Sequence, residues 1–156
     1  MTYMIAGLDI EPFRPLFGLP DDALAERHIV RVIADAPVGY PCRVLLEDAA
    51  PGQSLLLLNH EYQSAETPYR GRHAIFVNER ARAPARFVDE VPPVLATRKA
   101  IAVRAFDAAA MMIDAEVVEG PAVEATILRL FANSDAAYLH AHNAARGCFA
   151  ARIDRS

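Results

Sequence analysis

Apolar and polar side chains alternate with a period of two in several short stretches of this chain, and that period predicts strands. Tyr138-Leu139-His140-Ala141-His142-Asn143 and Cys148-Phe149-Ala150-Ala151-Arg152-Ile153 form one such pair, joined by Ala144-Ala145-Arg146-Gly147. Ile101–Phe106 and Met111–Val118 form a second pair, turning through Asp107–Ala110. His73–Asn78 is a further strand, and His28–Asp35 alternates more loosely. The leucine run in Ser54–Tyr62 suits a helix by propensity, but it is short and follows the Pro51-Gly52 turn, so a central strand is expected. Val44–Leu46 is read as a strand continuing from an extended Gly39-Tyr40-Pro41.

A helical period occurs once at length. Val123, Ile127, Leu130 and Phe131 share one face, Pro121 suits the first turn and Asn133 suits the cap, so a helix is expected over 121–132. Asp21 or Asp22 would cap a short helical turn through Glu26. Residues 1–20 and 79–99, rich in proline, read as irregular segments. The fold class that follows is α+β: a mostly antiparallel sheet of about seven or eight short strands, with one main helix before a C-terminal β-hairpin. At 156 residues the simplest organisation is a single globular domain over 1–156.

The terminal hairpin carries the densest candidate chemistry. In a strand His140 and His142 share a face, whereas in a helix they would lie roughly 200° apart. Pairing the apolar faces of the two strands puts Cys148 on the histidine side. Two kinds of chemistry are open to that trio. His140, His142 and Cys148 are candidate metal ligands, or a histidine is a base toward the Cys148 thiol. The alternative is a structural hairpin with satisfied histidines and a buried cysteine. His60-Glu61 reads as a solvated strand end. The arginines of the 79–99 segment, with Arg98 and Lys99, read as a surface wrap, with a lid over an anion as the alternative.

Composition narrows the classes. A formal net charge of −4 and a pI near 5.7 disfavour nucleic acid as the partner. Two cysteines far apart make no disulfide framework, and no signal peptide or membrane-length apolar run is visible, so a cytoplasmic protein without a membrane partner is expected. Neither a dinucleotide fingerprint nor a P-loop nor a nucleophile elbow is present, so no motif requires a cofactor.

Gly39-Tyr40-Pro41-Cys42-Arg43, Thr67-Pro68-Tyr69-Arg70 and His142-Asn143-Ala144-Ala145-Arg146-Gly147-Cys148 together give the chain a resemblance. It resembles a bacterial family catalogued as domain of unknown function 1203, which has no assigned activity. The resemblance implies where to look: the three segments are expected to converge on one pocket. Cys42, Tyr69, Arg70, Asn143 and Arg146 would bind a small anionic ligand there, with His140, His142 or Cys148 as catalytic candidates. The competing expectation is an interaction module that forms a homodimer through the edge of the terminal hairpin.

Overall fold

The period-two segments resolve into two antiparallel sheets. The computed structural model describes residues 1–156. Its strands are β1 (Tyr3–Ala6), β2 (Val30–Ile33), β3 (Ser54–Gln63), β4 (Gly71–Asn78), β5 (Arg86–Val88), β6 (Ile101–Phe106), β7 (Met112–Val118), β8 (Tyr138–Asn143) and β9 (Phe149–Arg155). The helices are α1 (Asp21–Ala25), α2 (Pro93–Ala96) and α3 (Val123–Phe131). A six-stranded sheet has the order β5-β1-β9-β8-β6-β7, and a three-stranded sheet the order β2-β3-β4. This is the expected α+β class, mostly sheet, with its main helix directly before the terminal hairpin. No helix is long and apolar enough to cross a membrane.

Nine strands divide between two sheets where one sheet of about seven or eight was expected, and the other differences are local. β1 lies in a stretch expected to be irregular, because four residues are too few to show a period. β5 and α2 occupy the long irregular stretch before β6. Val44–Leu46 forms no strand: Leu46 adopts a left-handed backbone (φ 54°), and the chain turns there. The terminal hairpin is not an edge. β9 pairs with β1 and β8 with β6, so both strands are hydrogen-bonded on each side and present no free edge for a second copy.

Two apolar cores sit on these sheets. One covers the six-stranded sheet, where Ile127, Leu130 and Phe131 of α3 meet Val103, Leu139, Ala141 and Ile153. The other packs Leu56, Leu58, Ile75 and Val77 of the small sheet beneath Ile10, Phe13 and Leu24 of the N-terminal segment. The turn after Pro41 stitches the two together. Cys42 and Val44 enter the second core, while Leu46 enters the first. Burial of Leu46, fully excluded from solvent, offsets the strain of its positive φ. Gly7 backs this turn so closely that a Cβ there would lie 1.9 Å from the Val44 carbonyl oxygen.

Candidate functional site

The turn that serves both cores leaves one side chain between them. Arg43 is 2% exposed, and it has no carboxylate partner. Its Nε donates to the Phe149 carbonyl (2.7 Å), and its Nη1 donates to the Pro41 carbonyl (2.5 Å). Burial pushes its pKa below the ordinary value, opposed by the nearby Cys148 and Cys42 sulfurs and reinforced by Arg98. Removing a guanidinium from water without pairing it with an anion is costly.

Arg43 forms part of the wall of a cavity of about 470 Å³. Gly39 and Pro41 at the rim, Leu57 of β3, His73–Phe76 of β4, Arg98–Ala100 and the β8–β9 turn supply the rest. Four of the lining side chains are basic (Arg43, Arg98, Lys99 and Arg146), and none is acidic. Arg98 is neutralised from behind by Asp48, with 2.9 Å from Nη2 to each carboxylate oxygen. The same Asp48 Oδ1 accepts the Gly39 and Tyr40 N–H groups, so one carboxylate fixes both the rim and Arg98. Lys99 and Arg146 are exposed, and neither forms an ion pair within the chain.

The β8–β9 turn contributes through local geometry. Gly147 takes the positive φ expected of it (76°), its N–H donates to Asn143, and the Asn143 N–H donates to Cys148. Asn143 Nδ2 lies 3.3 Å from the Cys148 sulfur, and both residues line the cavity. His73 Nε2 lies 3.1 Å from the Arg146 carbonyl and ties the turn to β4.

Two of the three segments expected to converge do so. Of the expected binding residues, Asn143 and Arg146 line the cavity. Cys42, Tyr69 and Arg70 do not. Cys42 is fully buried, its sulfur accepting the Leu45 and Asn78 N–H groups. Tyr69 packs edge-on against Phe106 (6.0 Å between ring centroids), and Arg70 pairs with Glu61 (3.2 Å). Arg43 and His73 were not among the expected site residues, whereas Arg98 and Lys99, read as a surface wrap with a lid over an anion as the alternative, stand at the cavity. The signal for Arg43 was a single cation inside an otherwise apolar run, Pro41-Cys42-Arg43-Val44-Leu45-Leu46.

The terminal histidines lie elsewhere. A bulge between Ala141 and His142 sets His142 opposite Phe149, where strict pairing would have used Ala150. That one-residue shift turns Phe149 onto the histidine face and leaves Cys148 beside Asn143, away from the histidines. His140 and His142 are 2% and 0% exposed, packed among Tyr62, Phe106, Tyr138 and Phe149. Burial, with His142 and nearby arginines, pushes His140 down to about 3. Burial likewise pushes His142 down to about 4, against a hydrogen bond with the Gly147 carbonyl that favours the charged form. His140 Nδ1 has no partner, and no group of three His, Cys, Asp or Glu side chains is disposed to hold a metal ion. The expected trio of His140, His142 and Cys148 is therefore not gathered as a ligand set.

No curated protein and no solved structure matches this chain. Over residues 39–155, which include the whole cavity lining, it matches the family described as Protein of unknown function (DUF1203), and it belongs to that family.

Proposed function

We propose that this chain binds a small anionic molecule in the cavity between the Pro41 turn, β4 and the β8–β9 turn. The observation that carries this reading is Arg43, a buried guanidinium at the cavity wall held by two carbonyls and no carboxylate. A bound anion would supply the missing countercharge, and Lys99 and Arg146 would close over it from the rim. The net charge of the whole chain is −4, so the positive cavity is a local feature, which suits a small ligand better than nucleic acid. We read the chain as one domain working in a reducing compartment such as the cytoplasm, in keeping with its two free thiols.

Titration calorimetry with inorganic phosphate at low ionic strength tests this reading. Wild-type protein should bind it, and Lys99→Ala and Arg146→Ala, both at exposed positions, should each weaken binding by about tenfold while leaving the fold intact. Arg43→Met should remove binding altogether. Wild-type protein that gives no heat at millimolar phosphate, or an unchanged affinity in a Lys99→Ala/Arg146→Ala double variant, would overturn it.

A further inference from the structure

Given that the cavity is an anion site, its remaining surface constrains the rest of the ligand. The side chains of Arg43, Arg98, Lys99 and Arg146 offer donors and no acceptors. Both His73 ring nitrogens face carbonyl oxygens, those of Ala74 (3.0 Å) and Arg146 (3.1 Å). Asn143 spends its Nδ2 on Cys148, which leaves Oδ1 as the one free side-chain acceptor of the amide. A sugar or polyol, whose hydroxyls all need acceptors as well as donors, would find few side-chain acceptors for its protons here.

Between the cations the wall is apolar, with Leu57 and Phe76, paired across β3 and β4 on one face of the small sheet, joined by Pro41 and Ala145. An inorganic oxyanion has nothing to place against these residues, whereas a hydrocarbon body does. Charge sets the other limit. Asp48 offsets Arg98, leaving Arg43, Lys99 and Arg146 unneutralised, so the site favours more than one negative charge.

We infer that the ligand is an organic dianion with an apolar, hydroxyl-poor body: an acid group such as a phosphate ester carried on an aromatic or branched aliphatic group. The acid end sits on Arg43, and the hydrocarbon lies along Leu57 and Phe76. This deepens the anion-binding reading and fails separately from it.

The test compares four probes by calorimetry at pH 7.5 and fixed ionic strength: inorganic phosphate, phenyl phosphate, glucose 6-phosphate and benzoate. Phenyl phosphate should bind about tenfold tighter or more than each of the others, the gain expected from burying an aromatic ring next to a doubly charged acid. Leu57→Ala should reduce that advantage and leave inorganic phosphate unchanged. Glucose 6-phosphate or benzoate binding as tightly as phenyl phosphate overturns the inference. Equal affinities for phosphate and phenyl phosphate also overturn it, while leaving the anion site standing. Failure of inorganic phosphate to bind at millimolar concentration removes both.

Discussion

Acidification should unfold this protein through its two buried histidines well before its carboxylates titrate. His140 and His142 are enclosed by aromatic rings, and the folded state holds them neutral down to about 3 and about 4, against an ordinary value of 6.5. The unfolded chain takes up protons near 6.5, but the folded chain cannot do so until far lower pH. Their contribution to stability is therefore complete above pH 6.5 and is lost as pH falls toward the folded values. Between pH 7 and pH 5 each histidine should cost about 2 kcal/mol, roughly 4 kcal/mol together, a large share of an ordinary domain's stability. His60, lowered by burial, acts in the same direction. Glu79 does not interfere in this window. Burial alone would raise its carboxyl, but Arg31, the Gly18 N–H and Ser54 outweigh that and hold it below its ordinary value. Urea denaturation at pH 7, 6 and 5 at constant ionic strength measures the loss. His140→Phe supplies the control. It removes a ring nitrogen that has no partner, so stability at pH 7 should be unchanged or higher, and the dependence on pH should fall by about half. A wild-type loss under about 1 kcal/mol, or a His140→Phe protein with the full pH dependence, would refute the reasoning.

Three further perturbations bear on the cavity and the turn behind it. Asp48→Asn keeps an acceptor for the Gly39 and Tyr40 N–H groups but releases the charge of Arg98, so calorimetry should show phosphate binding severalfold tighter than in wild type, with some loss of thermal stability. Gly7→Ala would drive a methyl group against the Val44 carbonyl and should cost about 1–3 kcal/mol by urea denaturation, because backbone and not a flexible side chain stands in the way. Arg146→Ala, at an exposed position with no ion pair within the chain, should change stability by under about 0.5 kcal/mol by urea denaturation.

The elements that could be read from the sequence were those whose local signals agreed. Tyr138–Asn143 is a strand at the expected boundaries, and Gly147 turns it as expected. The leucines of β3 form a strand because β2 and β4 flank them, and that tertiary pairing overrides leucine's preference for helix. Faces and neighbours were harder to see. A single bulge, at Ala150, moved Phe149 onto the histidine face and separated Cys148 from the histidines, and a bulge leaves no mark on an alternating pattern. The apolar triplet Val44–Leu46 looked like a strand because all three residues belong in the interior, but they serve different cores across a turn. The candidate site was legible in part: Asn143 and Arg146 stand in one short turn with recognisable chemistry. Arg43 meets Phe149 across 106 residues of sequence, and Lys99 and Arg98 arrive from the end of a proline-rich segment. The sheet order β9-β8-β6 and the Cys42–Phe76 bridge to the small sheet, which no local pattern encodes, bring them to one wall.

Anomalous diffraction from crystals soaked in tungstate, a heavy stand-in for phosphate, tests most directly whether the cavity is an anion site. A peak within hydrogen-bonding reach of Arg43, with Lys99 and Arg146 turned toward it, is the predicted result. An empty cavity in crystals whose surface arginines carry tungstate would contradict it.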